Sequence, residues 1–572
     1  MTRLLLCGVF KPYGVQDDTG EALCSMELLN NQITREQGIH SPRSNNPSFA
    51  LYLMAENLRV PVTVLDFPTW EEFTREVDSG NYTHVGISFI VPNAVKAKQM
   101  AEYIRAKSSQ TKILLGGHGT SIPDVRKLIP CDDVCSGEGV AWLREYFGEE
   151  TDRPIIHPAL PSSINSYVYG APLQGKAGVI IPGVGCQNSC RFCCTSHKFD
   201  RKYTPFLRTG RDIFDVCRNC EDKLGAGDFG VLDENFCKEA QRARELLGEM
   251  EKNGKAYSFS IFSSAEAIRE LGTDFLVRIG VNLIWIGVES KAGLFEKTQG
   301  IDLHEMISDL QAHGISILAS SILFLEHHDK ETIHEDIEWA ISLESDLSQF
   351  MGLGPMPGTR LYREYEAAGK LLDEIPWQKK HGQDEIWFRH PEFTLPETAN
   401  YIKDAFIKKY EEHGPAVLNM AQTAIRGYLR VKSEVEEREK NGLCWDPQSL
   451  KYLPATAAPT QDEFMRLRLE CMRRTAQQFR PALGVMLKYA PNTQAALKCR
   501  KIMALYNEVF GAMTLTERVK SVAVRLLAIR ERRRMRREGG VIMRQPPTDR
   551  VSYPDRRFNV GRKKCDKKAS AA

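Results

Sequence analysis

Short apolar runs alternate with helix-period segments from residue 3 to residue 362, and no other feature of the 572-residue sequence limits the fold as much. In the first 150 residues, "RLLLCGVF", "VPVTVLDF", "HVGISFI", "KILLGG" and "DDVCSG" read as strands, and "FALYLMAENL", "NAVKAKQMAEYIRAKS", "VRKLI" and "GVAWLREYFG" as helices. Strands that alternate with helices need crossover connections, so this part is predicted to be a parallel sheet covered on both faces. Ligands in such sheets sit at the carboxyl ends of the strands. The loops "GGHGTS" (Gly116 to Ser121) and "SGEG" (Ser136 to Gly139) fall there. Residues 151–174, rich in Pro and Ser, read as a linker. A second series follows, "GVIIP", "DFGVLD", "AYSFSIF", "LIWIGVES", "SILASSILFL" and "LSQFMGLGP", which implies a full or partial β/α barrel over residues 175–395 with chemistry at the strand C-termini. Residues 396–529 read as a helical domain expected to close over the substrate, and 530–572 as a basic tail. The expected class is α/β: a Rossmann-like domain over 1–150, a barrel and a helical domain.

Composition narrows the setting. The hydrophobic fraction of 42% and charged fraction of 26% are those of ordinary globular protein. No run reaches the length of a membrane span, and "MTRLLLCGVF" has no following small-residue cleavage site, so a cytoplasmic location is expected. Fifteen cysteines in so long a chain point to thiol ligands in a reducing compartment, not to a disulfide scaffold. Net charge is +2, but residues 530–572 hold fifteen Lys/Arg against five Asp/Glu, a local excess of ten. Just before and into this region, "LTERVKSVAVRLLAIRERRRMRRE" places Val519, Val522, Leu526 and Ile529 near one helical face among arginines. Such a helix can lie on an anionic bilayer such as the inner membrane surface, with nucleic acid the less favoured partner; a disordered, solubilising tail is the plain alternative.

Four cysteines lie in "GVGCQNSCRFCC", just past the first strand of the second series. Cys186, Cys190 and Cys193 have the spacing C-x3-C-x2-C. Thiolates so placed can bind three irons of a [4Fe–4S] cluster and leave the fourth iron open; a structural zinc knot is the competing reading. The motif resembles that of the radical S-adenosylmethionine enzymes. The resemblance implies that the open iron chelates S-adenosylmethionine, that one electron from the cluster yields a 5′-deoxyadenosyl radical, and that Phe192 belongs to the motif. It also implies S-adenosylmethionine contacts for Asp233 and Asn235 in "GVLDENF" and for Glu289 and Ser290 in "IWIGVES". "PMPGT" (Pro355 to Thr359) resembles the turn after the last barrel strands. Where relatives carry a "GxPGET"-like loop, this chain has "LFLEHHDKET", so Glu326, His327 and His328 belong either to the substrate side or to a remodelled loop.

"KILLGGHGTSIPDVRKLIPCDDVCSGEG" resembles the last third of the cobalamin-binding domains fused to such barrels. The resemblance assigns Gly116, Gly117, His118, Gly119, Gly137 and Glu138 to a cobalamin site; glycines let a planar macrocycle approach the backbone. A "D-x-H-x-x-G" motif is absent, which implies cobalamin without a protein histidine on cobalt. Cys217-x2-Cys220 lacks a partner pair at zinc-finger spacing and reads as structural.

The expected function is that of a cobalamin-dependent radical enzyme, a methyltransferase acting on an unactivated carbon of a hydrophobic, lipid-like small molecule, with an external flavodoxin- or ferredoxin-type electron donor. Carbon–carbon bond formation, cyclisation or oxidation without methyl transfer is the alternative enzyme reading. An iron–sulfur electron carrier or redox sensor is the non-enzyme reading.

Overall fold

The computed structural model describes residues 2–13, 32–162, 164–172, 176–293, 295–455, 461–538 and 544–557. The chain forms two compact units: residues 1–23, 47–158 and 545–572 make the first, and residues 24–46 and 159–544 the second. Among the described residues no helix is long and apolar enough to cross a membrane.

The first unit is a doubly wound sheet. Its parallel strands β1 (Leu4–Cys7), β2 (Val62–Asp66), β3 (His84–Ser88), β4 (Lys112–Gly116) and β5 (Asp133–Val134) take the order β2-β1-β3-β4-β5. Every residue of β1 and β2 is buried, as strands covered on both faces must be. Helices α1 (Phe49–Glu56), α2 (Trp70–Ser79), α3 (Ala94–Lys107) and α4 (Gly139–Tyr146) supply the layers. The sequence reading omitted α2, which opens on a capping box between Thr69 and Glu72.

A sixth strand corrects the tail. Asp549–Tyr553 pairs antiparallel with β2, Asp549 opposite Asp66 and Tyr553 opposite Val62. Lys11 Nζ donates to the Pro546 carbonyl (2.9 Å), and Arg550 pairs with Glu76 (2.8 Å). Residues 545–557 are therefore part of the first unit. They cover a sheet edge that would otherwise present unpaired backbone groups.

The second unit is an open barrel. Strands β6 (Ala177–Ile180), β7 (Asp228–Val231), β8 (Ser258–Phe262), β9 (Val281–Glu289), β10 (Ser316–Leu323) and β11 (Leu347–Gly352) are parallel and lie side by side in chain order. The expected partial barrel is present. The 151–174 stretch is less irregular than a linker: Leu160–Pro161 pairs antiparallel with β6, and Ile164–Val168 joins Arg43–Asn45 in a small sheet. The crossover helices include α5 (Cys194–Lys198), α6 (Gly210–Leu224), α7 (Ala240–Asn253), α8 (Leu303–Ala312), α9 (Thr332–Ser342) and α10 (Arg360–Ala367). Cys217 and Cys220 are fully buried in the barrel core and serve packing.

After the barrel come α11 (Leu395–His413), α12 (Ala416–Lys440), α13 (Glu463–Gln478), α14 (Thr493–Phe510) and α15 (Leu515–Arg537). α12 and α13 do not close over the strand C-termini, as the sequence reading expected. They plug the opposite end. Arg468 of α13, almost fully buried, donates to the carbonyls of Tyr257 (2.5 Å) and Ile279 (3.3 Å), which precede β8 and β9. α12 crosses so closely that a Cβ on Gly427 would lie 2.0 Å from the Gly314 Cα, just before β10. The C-terminal ends of β10 and β11 are flanked instead by residues 382–393: Gly352 N donates to the Gly382 carbonyl (2.8 Å), and Trp387 Nε1 to that of Pro355 (3.3 Å).

Candidate active site

Cys186, Cys190 and Cys193 occupy the loop between β6 and α5, at the C-terminal end of the first barrel strand. A two-residue ladder, Gly183–Val184 against Thr204–Pro205, closes the loop at its base. Gly185 has φ +90°, and a Cβ there would meet the Lys202 carbonyl at 2.1 Å, so only glycine fits. Ser196 Oγ donates to the Cys186 carbonyl (2.8 Å) and Cys193 N to the Cys190 carbonyl (3.0 Å), which fixes the loop without using a thiol. All three cysteines are half-buried. Burial pushes the Cys193 thiol up to about 12 and raises Cys186 and Cys190 as well. Such thiols lose their protons when metal coordination replaces them.

A single metal ion needs its ligand atoms close together. Zinc–thiolate bonds of about 2.3 Å in a tetrahedron bring sulfurs within about 3.8 Å of each other. Among the described residues, only His327, His328 and Asp336 bring three ligand atoms within 4.8 Å of one another. Cys186, Cys190 and Cys193 do not form such a group. Thiolates at the spacing C-x3-C-x2-C can each bind a separate iron of one cluster. The His327–His328–Asp336 group is itself committed: His328 Nδ1 accepts from Leu325 N (3.1 Å), and Nε2 meets Asp336 Oδ2 (2.8 Å).

Arg191 explains how the loop is held. Its guanidinium binds both Glu326 oxygens (2.5 Å each) and Glu364 (3.2 Å), and its carbonyl accepts from Leu361 N (2.9 Å). Tyr365 Oη also donates to Glu326 (2.9 Å). Glu326 therefore braces the cluster loop from beyond β10. The pair is partly exposed and adds little to global stability. We expect Arg191→Gln to shift stability by less than about 1 kcal/mol but to speed iron loss to a chelator by roughly 10-fold or more, as removal of an outer-sphere support does; iron release followed by absorbance checks this.

Phe192 stacks edge-on against Phe295 (5.6 Å, 89°), joining the cysteine loop to the segment after β9. Glu289, the last residue of β9, has φ +61° and is buried. It pairs with Lys297, a residue that sequence reasoning missed. Burial opposes the Lys297 charge, but Glu289 and the sulfurs of Cys190 and Cys193 outweigh it and raise its pKa. Gly287 makes room for the pair: a Cβ there would lie 2.3 Å from Glu289 Oε1 and 2.5 Å from Lys297 Nζ. Ser290 Oγ accepts from Ala292 N (3.2 Å), and Asp336 accepts from Lys291 N (3.0 Å), so the β9 exit is tied to α9.

Asp233 and Asn235 stand at the end of β7 but spend their polar atoms inside the protein. Asp233 pairs with buried Arg242 (2.6 Å) and accepts from Tyr203 (2.8 Å). Asn235 donates to Ser264 Oγ (2.7 Å) and accepts from Ser263 Oγ (2.9 Å) and Ser264 N (3.1 Å), linking β7 to β8. Glu234, between them, was not singled out from sequence. Its side chain is exposed beside Thr195, and the neighbouring Asp233 charge pushes its carboxyl up.

In the first unit, the strand order reverses between β1 and β3, the position where doubly wound sheets take ligands. The proposed glycines divide by environment. A Cβ on Gly116 or Gly137 would meet nothing within 4 Å, which leaves open surface at the ends of β4 and β5. Gly117, at φ +83°, would strike the Phe89 carbonyl (2.5 Å), and Gly119 the Phe89 ring (2.2 Å), so these two serve internal packing. His118 begins the short turn after Gly117. Glu138 caps α4 by accepting from Val140 N (2.5 Å) and Ala141 N (2.7 Å). The open pair fits a flat ligand lying on the sheet edge.

Three similarities accompany this geometry. The chain is 24% identical over 394 residues to an uncharacterized methyltransferase of Pyrococcus horikoshii, covering 61% of this chain and 84% of that protein. It is 25% identical over 252 residues to the anaerobic magnesium-protoporphyrin IX monomethyl ester cyclase of Cereibacter sphaeroides, covering 42% of this chain and 39% of the cyclase. In fold it is similar to a radical S-adenosylmethionine methyltransferase from Kitasatospora setae solved with cobalamin and a [4Fe–4S] cluster, with a TM-score of 0.50, 13% identity, and coverage of 84% of this chain and 100% of that one. No family model matches the chain.

Proposed function

We infer that this chain, a cobalamin-binding radical S-adenosylmethionine enzyme, transfers a methyl group to an unactivated carbon of a hydrophobic small molecule. The observation that carries the reading is the three-cysteine loop leaving the C-terminal end of the first strand of a six-stranded parallel barrel. Bound together, the cluster, S-adenosylmethionine and the corrinoid supply a carbon-centred radical and a methyl group.

The chain's own residues bind and orient. Cys186, Cys190 and Cys193 would hold three irons, and Arg191 keeps their loop against Glu326 and Glu364. Lys297 places a cation beside the thiolates and neutralises Glu289. Phe192 and Phe295 cover the cysteine loop from the β9 side. Ser290, after β9, is the S-adenosylmethionine contact; Asp233 and Asn235 hold the exit of β7 through Arg242, Tyr203 and Ser264. Glu234 places an exposed carboxyl beside Thr195 and the cysteine loop. Gly116 and Gly137 leave the sheet edge clear for the corrinoid. An external donor of flavodoxin or ferredoxin type would bring the electron.

The test uses full-length protein reconstituted anaerobically with iron, sulfide and cobalamin, given reductant, S-adenosylmethionine and hydrophobic acceptors. Methyl transfer predicts 5′-deoxyadenosine, S-adenosylhomocysteine and a product heavier by one methylene. A product lighter by hydrogen, with no S-adenosylhomocysteine, would replace this reading with the cyclase type. In the same protein, Gly137→Trp fills the open edge and is expected to lower bound corrinoid at least about tenfold with the cluster intact, as loss of shape fit costs a few kcal/mol; corrinoid absorbance after gel filtration measures it.

A further inference from the structure

Helix α15 has two faces that differ in how they are held. Its inner face is fixed to the second unit. Ala528 and Glu531 are buried, Glu531 pairs with Arg544 (3.1 Å), and Glu517 pairs with almost fully buried Arg480 (3.4 Å). Gly170 lets the helix approach, since a Cβ there would lie 3.0 Å from Glu531 Cβ.

The outer face has no cover among the described residues. Leu515, Val519, Val522 and Leu526 are 79%, 61%, 59% and 62% exposed. Their steps of four, three and four put them on one side of the helix, as a stripe about 16 Å long at 1.5 Å per residue. The other large exposed apolar side chains, such as Ile156, Leu453 and Leu497, are scattered along the chain. Beyond Leu526 the same face continues as Arg530, Arg533 and Arg537, all exposed, with Arg518 and Arg525 at its flank. Both acids within the helix, Glu517 and Glu531, are spent on inward ion pairs. Ile529, expected on the apolar face, is only half-exposed; Leu515 takes its place in the stripe.

We propose that α15 seats the enzyme on an anionic lipid bilayer, with Leu515, Val519, Val522 and Leu526 entering the headgroup–acyl boundary and Arg530, Arg533 and Arg537 meeting lipid phosphates. An apolar stripe continued by cations matches the two layers of such a surface. A nucleic acid would have no use for four exposed aliphatic side chains, and the helix carries no aromatic residue on which bases could stack. A second copy would set arginine against arginine. Because the helix is already folded and anchored, docking needs no coil-to-helix transition. The proposal stands independently of the catalytic reading.

Flotation of the full chain with vesicles tests it, using phosphatidylcholine alone and phosphatidylcholine with about a third phosphatidylglycerol. Wild-type protein should float with the anionic vesicles only, with no gain in helical circular dichroism. Two surface variants, Leu515→Ser/Val519→Ser/Val522→Ser/Leu526→Ser and Arg530→Gln/Arg533→Gln/Arg537→Gln, should each lower partitioning at least about tenfold. No flotation at low salt would overturn the proposal. So would undiminished binding by the serine variant together with binding to duplex DNA, which would assign the basic face to nucleic acid.

Discussion

Cys190→Ala, reconstituted anaerobically beside the wild type, should lose the charge-transfer absorbance of the cluster and cleave S-adenosylmethionine at least about 100-fold more slowly, because loss of an outer-sphere partner alone costs 10–100-fold. Cys186→Ala and Cys193→Ala should behave alike. The fold should survive, since the loop is held by the Cys193–Cys190 backbone bond, by Ser196 and by Arg191, and no thiol takes part in those contacts. Controls lie in the same chain. Cys217 and Cys220 are fully buried, so Cys217→Ala and Cys220→Ala should cost about 1 kcal/mol of stability each while iron content stays at the wild-type value. Cys194 opens α5, next to a ligand. Cys194→Ala should keep its iron too; loss of iron there and not at Cys193 would shift the ligand set by one residue.

Lys297→Met should separate two roles of the buried ion pair. Glu289 is 5% exposed at its side chain and Lys297 17%. Removing the cation leaves a buried carboxylate unpaired, which should cost roughly 3 kcal/mol in chemical denaturation. Adding Glu289→Gln should recover more than about 1 kcal/mol of that loss, the coupling expected of residues in contact. The second role is electrostatic. With a positive charge removed from beside Cys190 and Cys193, the reduced cluster is less favoured, so its midpoint potential should fall in an electron paramagnetic resonance titration. A purely structural lysine would leave the potential where it was. Gly287→Ala should reproduce the stability loss in part, because its Cβ would invade the space of the pair.

The sequence carried much of this. Short apolar runs such as "LLLC", set between loops and helix-period segments, suit strands covered on both faces, and β1 is buried throughout. The six barrel strands were legible because each apolar run ends in a polar or glycine-rich loop before the next helix. The cysteine loop was legible because its C-x3-C-x2-C spacing is local and needs no tertiary information. What escaped was non-local. "DRVSY" is an edge strand of alternating exposure, and its partner lies almost five hundred residues upstream, so its arginines read as a tail. Lys297 sits eight residues beyond Glu289, past a turn without periodicity, and nothing in the local sequence aims it at the cysteines. Glu326 was noticed, but its partner Arg191 was hidden between Cys190 and Cys193. Asp233 and Asn235 were correctly placed at a strand end; that their polar atoms are used internally depends on Arg242, Tyr203 and Ser264, which no motif contains. The role of α12 and α13 was inverted because a helical pattern says which face is apolar and not which end of a barrel it covers.

The central claim is that three thiolates hold the cluster and leave one iron open to S-adenosylmethionine. Electron paramagnetic resonance of the reduced, reconstituted protein, recorded with and without S-adenosylmethionine, tests it most directly. The account predicts that the cofactor changes the g-values of the cluster signal in the wild type. A cluster that forms fully, reduces fully and keeps an identical signal when S-adenosylmethionine is added would have all four irons ligated by the protein, and would make this chain an electron carrier.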